Sequence, residues 1–458
     1  MAIKRTASLA LGIILTISLT QALNAKNVHA ETVSLVKTTF RIQGMDRYKT
    51  SRAIAQEVNN GALENVVLAS GHDFPDGLSG STLAKKLNAP LLMAGSLADS
   101  KDAFDYISEH LNQNGNVYIL GGTGVVSQAV ENALIEKGYH VKRIFGKDRF
   151  ETNNSITNSL NAEEGTPVFI SNAYGFADAL SASGIAAIKG YPLLLSNKNA
   201  LPELAVNQLS KIKPSKVYIV GGTGVVTSGV EDQIKKILPS AEVIRLAGVN
   251  RYKTSMNVYE YFNLDTKNII LASGKDYPDA LSGSQLAAKL NASMVLSDED
   301  NLDLQQIEFD KNSIENYYIL GGNGALSSNV EQAITFDKEK EIANIKALYN
   351  TTMQAVRLKD INQCMLTVDK NSPSYDFNRE VYQSLFDYLN ENDMDVIPTI
   401  DSFDVVSINY KEASVKVTET DGLTDNINKT TEYQTATTLS NIKKVDGEWK
   451  FYSTQIAQ

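Results

Sequence analysis

The phrase RIQGMDRYKT, Arg41 to Thr50, returns as RIFGKDRFET at Arg143 to Thr152 and as RLAGVNRYKT at Arg245 to Thr254. Its glycines, Gly44, Gly146 and Gly248, are 102 and 102 residues apart, so a unit of that length is repeated in tandem. Two more phrases recur in the same order inside each unit. The first is FPDGLSG at Phe74, FADALSA at Phe176 and YPDALSG at Tyr277; the second is YILGGTGVVS at Tyr118, YIVGGTGVVT at Tyr218 and YILGGNGALS at Tyr318. A feature present three times belongs first to the scaffold, and every local motif has to be weighed against that.

Within the first unit, short apolar runs alternate with helical patterns. The pattern predicts strands over Val66 to Ala69, Pro90 to Met93, Val117 to Leu120 and Val141 to Phe145, separated by helices at Gly77 to Leu87, Phe104 to Leu111 and Gln128 to Lys137. Continuous apolar strands separated by helix-length segments indicate a parallel sheet covered on both faces. Each unit is therefore expected to be a small doubly wound α/β module. No fourth RxxG phrase follows Phe336, so the units are drawn to begin with that strand, over residues 36–140, 141–242 and 243–337.

Beyond the charged run at Asp337 the repeat does not return, and residues 338–458 form a separate segment. Helical patterns at Ile342 to Thr367 and Asn378 to Asn390 give way to alternating β patterns. Asp446-Gly447 marks a hairpin and Trp449 reads as core. Helices followed by strands predict an α+β domain. That order, ending in KKVDGEWKFYS, resembles the nuclear-transport-factor-2-like domains.

The first thirty residues read as an export signal: Lys4 and Arg5 precede an apolar run from Leu9 to Leu19, and Val28-His29-Ala30 fits a cleavage site after Ala30. No stretch is long enough to span a bilayer. Cleavage removes Lys4, Arg5 and Lys26 and no carboxylate, taking the formal charge from −10 to −13. That balance argues against a nucleic-acid partner. The single cysteine, Cys364, has no internal disulfide partner, so stability outside the cell must come from burial.

Together the repeated phrases and the Pro-Leu-Leu strands at Pro90 and Pro192 closely resemble the clostridial cell-wall-binding repeat 2 family over roughly residues 40–336. The third unit departs, with Ser293-Met294-Val295 in place of Pro-Leu-Leu, and the second carries an extra residue before Phe176. The resemblance implies three Toprim-like modules around a pseudo-threefold axis. It also implies a protein held at the Gram-positive cell surface by non-covalent binding of an anionic secondary wall polysaccharide, with 338–458 displayed as a variable domain. That domain has no assigned role, and contacts with host or surface proteins through it are one option.

Arg47, Arg149 and Arg251 are the first candidates to contact such a polymer, since a guanidinium suits bidentate bonding to phosphate or carboxylate oxygens. Pairing with a nearby carboxylate to pin a loop is the alternative, and the same two readings stay open for Arg41, Arg143 and Arg245. Asp76, Asp178 and Asp279 precede helical patterns and are expected to act as N-caps, with binding of sugar hydroxyls or a bridging cation as the alternative. The Gly-Gly loops at Gly121, Gly221 and Gly321 lack the ending of a P-loop and read as tight turns. Ser228 with Glu231 and Ser328 with Glu331 match a capping box.

Enzymatic chemistry has little support. The histidines beyond the signal, His72, His110 and His140, all lie in the first unit, and neither HExxH nor GxSxG is present. The acidic Asp298-Glu299-Asp300 reads as a helix start, and Asp401, Asp404 and Tyr410 as the lining of a C-terminal pocket. No cofactor or metal is required. The rivals to adhesion are a wall hydrolase with its catalytic domain at 338–458 and a nucleotide-binding protein using the Gly-Gly loops.

Overall fold

The computed structural model describes residues 37–457, and the export signal lies outside them. Contacts divide the described residues into two compact units, 37–335 and 336–457. No helix among them is long and apolar enough to cross a membrane.

The first unit enters on β1 (Thr38–Ile42) and then builds β2 (Leu63–Ser70), β3 (Leu91–Ala94), β4 (Leu111–Leu120) and β5 (His140–Ile144). The second set is β6 (Val168–Asn172), β7 (Leu193–Ser196), β8 (Lys216–Val220) and β9 (Glu242–Leu246), and the third is β10 (Asn268–Ser273), β11 (Ser293–Ser297) and β12 (Asn316–Leu320). These form three parallel four-stranded sheets in the orders β3-β2-β4-β5, β7-β6-β8-β9 and β1-β12-β10-β11. Strand β1 pairs with β12 from Thr38↔Asn316 to Ile42↔Leu320, so the first strand of the repeat body completes the last sheet. Each RxxG strand is thus an edge of the preceding sheet, and the sheets run one strand out of phase with the units 36–140, 141–242 and 243–337.

The helices Pro75–Lys86, Phe176–Lys189 and Pro278–Leu290 are rich in Gly, Ala and Ser and are buried over most of their length. Small side chains let them approach closely, and one apolar cluster draws Leu78, Leu180 and Leu281 from all three units together. Three modules therefore share a centre. The Pro-Leu-Leu strand is part of this interior: β3, β7 and β11 are buried along their whole length. Met294 packs in the same cluster, so the departure at Ser293-Met294-Val295 lies within the core.

The second unit carries helices Lys338–Arg357, Ile361–Leu366 and Tyr375–Glu391, followed by an antiparallel meander. Its strands are β13 (Met394–Ile408), β14 (Glu412–Asp425), β15 (Thr430–Val445) and β16 (Glu448–Ile456), in sequential order. The helix expected over Ile342 to Thr367 is broken in two. Lys359 takes a left-handed φ of 54°, and Asp360 caps the short second helix by accepting from the backbone N–H groups of Asn362 and Gln363. The Asp446-Gly447 turn has φ values of 51° and 85°, as a two-residue hairpin requires, and joins Val445 to its partner Glu448. Trp449 is buried, and its indole N–H donates to Glu341 at 2.6 Å.

Candidate functional site

Each position of the RxxGxDRYxT phrase has its own structural task. Gly44, Gly146 and Gly248 lie against the backbone of the following helix, where a Cβ on Gly44 or Gly248 would stand about 2.5 Å from main-chain atoms. Their N–H groups donate to Thr50, Thr152 and Thr254 at 3.0, 3.1 and 3.0 Å. Asp46, Asp148 and Asn250 are the N-caps of helices Arg47–Val58, Arg149–Leu160 and Arg251–Phe262, each accepting from a backbone N–H of the first turn. The capping expected of Asp76, Asp178 and Asp279 falls to these residues instead.

The first arginine of the phrase points inward. Arg143 donates through Nε to Glu131 at 2.8 Å and through Nη1 to the carbonyls of Gly121 and Val126 at 2.9 and 3.0 Å. Arg245 makes the same bonds to Glu231, Gly221 and Val226, and Arg41 to Glu331, Gly321 and Leu326. With side chains only 10%, 7% and 17% exposed in Arg41, Arg143 and Arg245, these residues pin the Gly-Gly loops. The glutamates are consequently not in capping boxes. The helix caps are Thr227 and Ser327, one residue earlier than expected, and Glu231 and Glu331 turn to the arginines.

Asp76 and Asp279 are the second residues of helices that begin at Pro75 and Pro278, and Asp178 is the third of a helix that begins at Phe176. None is an N-cap. Their carboxylates press against Gly121, Gly221 and Gly321, which hold φ values of 97°, 116° and 90° that a side chain would strain. Burial, reinforced by the neighbouring charges of Asp73 and Asp276, pushes Asp76 and Asp279 up to about 6. Burial also raises Asp178, opposed by a hydrogen bond from Thr254 and by the Arg251 charge. A carboxylate set against each Gly-Gly loop would repel a phosphate placed there.

The second arginine stands at the junctions between units. Arg47, Arg149 and Arg251 donate to the carbonyls of Gly71, Ala173 and Gly274 in their own units. They also face the preceding unit, where Arg149 reaches Asp73 at 3.6 Å and Arg47 reaches Asp276 of the third unit at 3.5 Å. Beside them the rings of Phe74, Phe176 and Tyr277 meet as a triad, with centroids 6.0, 5.7 and 5.8 Å apart, one ring from each unit. Arg47 lies over Tyr277 and Arg251 over Phe176, while Arg149 lies over Tyr174. The triad escaped the sequence reading, although an aromatic residue at one position of all three units was its signal. A groove of about 340 Å³ opens at the junction that closes the ring, lined by Asp46, Arg47, Lys275, Asp276 and Asp279.

In the second unit, Asp401 and Asp404 are exposed on the edge strand β13, and Asp401 accepts from Thr420 Oγ1 at 2.7 Å. The cavity there lies elsewhere: a groove of about 640 Å³ beside the short helix Ile361–Leu366, lined in part by Asp369, Arg379 and Lys450. On the inner face of β14, Asp421 is buried with one carboxylate oxygen lacking a hydrogen-bond partner, and burial pushes it up to about 8. Asp298 caps the helix Glu299–Lys311, as the acidic cluster led one to expect.

The chain is similar to several known proteins. N-acetylmuramoyl-L-alanine amidase LytC of Bacillus subtilis (strain 168) is 32% identical over 292 residues, 63% of this chain and 56% of the relative. The amidase enhancer of the same organism is 31% identical over 303 residues, 65% of this chain and 40% of the relative. The chain thus spans about half the length of the curated relatives it matches. Among solved structures, Cwp8 from Clostridium difficile superposes with a TM-score of 0.59 at 28% identity, over 65% of this chain and 51% of that one. Residues 347–458 match the Anti-sigma-I factor RsgI9 C-terminal domain. Residues 41–131, 143–231 and 245–331 each match Cell wall binding domain 2 (CWB2), and the chain belongs to that family.

Proposed function

We propose that the three-repeat body attaches the protein non-covalently to a Gram-positive wall by binding an anionic wall polymer at the junctions between repeats, and that it displays residues 338–458 at the surface. The observation that carries this reading is the set of Arg47, Arg149 and Arg251 at the junctions, each lying over an aromatic ring, Arg47 and Arg251 over rings of the triad. A guanidinium has five N–H donors, and the bonds these arginines make within the protein leave donors for an oxyanion. Sites on one rigid frame would act together on a repetitive polymer through effective concentration.

The test is co-sedimentation of the full chain with protein-free walls. Arg47→Ala, Arg149→Ala and Arg251→Ala combined should abolish binding, because each charge-assisted contact is worth about 1.5–3 kcal/mol. Circular dichroism must show that the variant is folded. A folded triple variant that binds as tightly as the parent would remove these arginines from the site. Low pH or chaotrope should release the intact chain. The stretch matching LytC is about as long as the three repeats together, which supports attachment over amidase chemistry. A peptidoglycan-clearing assay is expected to show no activity. Contacts with surface or host proteins are proposed for residues 338–458, to be tested by pull-down.

A further inference from the structure

The three junctions share one plan and differ in charge. Asp276 and Asp279 stand by Arg47, and Asp73 and Asp76 stand by Arg149. At the junction of the second and third repeats, Asn250 replaces the capping aspartate and Gly175 stands where Asp73 and Asp276 stand in the other units. Asp178 stands near Arg251. At the first two junctions two carboxylates face the arginine, the outer one paired with it, whereas at this junction the outer carboxylate is missing.

Exposure follows the same division. Arg47 and Arg149 are half-buried, each with its outer aspartate, whereas Arg251 is exposed and has no ion pair among the described residues. The space beside Gly175 is open: a Cβ there would meet nothing within 4 Å, and its φ of −129° suits any residue. The vacant position at this junction is the one that an aspartate fills at the other two.

We propose that the junction between the second and third repeats is the principal anion-accepting site, where Arg251 takes an oxyanion of the wall polymer in the place that Asp73 and Asp276 occupy at the other junctions. This rests on the wall-polymer reading above. It explains how a chain with a formal charge of −10 binds a polyanion, because the repulsion is relieved locally rather than over the whole surface.

Gly175→Asp installs the missing carboxylate, and Gly175→Asn fills the same space without charge. On protein-free walls, Gly175→Asp should weaken binding about tenfold or more, whereas Gly175→Asn should stay within about twofold of the parent. Walls stripped of phosphodiester-linked polymer with hydrofluoric acid and walls with amidated carboxyls separate the two sources of the anion; losing binding after one treatment identifies it. Equal binding by parent and Gly175→Asp, or an equal fall in both variants, would overturn the inference. A titration with inorganic phosphate, followed through the Arg251 Nε–H resonance, decides the site independently of walls. The resonance should move in the parent and in Gly175→Asn and stay still in Gly175→Asp; movement in all three would refute the assignment even if the walls themselves are not bound.

Discussion

Arg41→Met separates the two arginines of the repeated phrase most sharply. The Arg41 guanidinium donates to Glu331 at 3.0 Å and to the Gly321 and Leu326 carbonyls at 2.9 and 2.8 Å, joining residues 280 or more positions apart in the chain. Methionine preserves most of the stem and removes these three bonds together with a longer fourth one to the Ser327 carbonyl at 3.3 Å. A charge-assisted bond contributes about 1.5–3 kcal/mol, but Glu331 is 30% exposed and regains water, which leaves about 1 kcal/mol for each bond. The total of about 3 kcal/mol sits at the lower end of the cost of removing one partner of a buried ion pair. At about 2–4 °C per kcal/mol, the repeat body should melt about 6–12 °C lower. Differential scanning calorimetry of the full chain reads this directly. The fluorescence of Trp449, the single tryptophan, follows the second unit and should melt as in the parent. Wall binding measured well below the transition should also be parental. An Arg41→Met protein that melts within 2 °C of the parent and loses wall binding would refute the reasoning and return Arg41 to the list of ligand contacts.

Burial raises Asp421 from near 4 in the unfolded chain to about 8 in the folded one, so its contribution is most favourable below pH 4 and is lost as the pH rises to 8. Asp421→Asn should flatten that slope and stabilise the second unit at pH 8 by up to about 5 kcal/mol, read through Trp449; an unchanged slope would count against the burial. Gly221→Ala must hold φ near 116° and push against Asp178, so a loss of about 2 kcal/mol or more is expected by thermal melting, where a neutral outcome would show that the loop relaxes. Phe176→Ala removes one ring of the triad and should cost about 2–3 kcal/mol, with Phe176→Leu recovering part of it.

Much of this architecture was legible along the chain. The 102-residue spacing, the alternation of apolar runs with helical patterns and the Asp446-Gly447 hairpin depend on near neighbours, and each agrees with the folded protein. Trp449 in the core is of the same kind. Strand pairing is not a local property. Nothing near Thr38 indicates that β1 pairs with β12, because that choice is made when three modules close on one another and leave a single open sheet edge. The same closure sorted the arginines. Arg41 and Arg47 are six residues apart in one phrase, yet one is enclosed by a Gly-Gly loop and the other faces the neighbouring repeat. Asp76 reads as a cap from its position before an apolar helix, but the chain turns at Phe74 and places the carboxylate inside the first turn. Sequence by itself therefore determined the modules, their number and their class, because hydrophobic period and turn chemistry act over a few residues. Only the tertiary structure decided which charges meet at each junction, because those partners lie up to 229 residues apart and are brought together by the shared core alone.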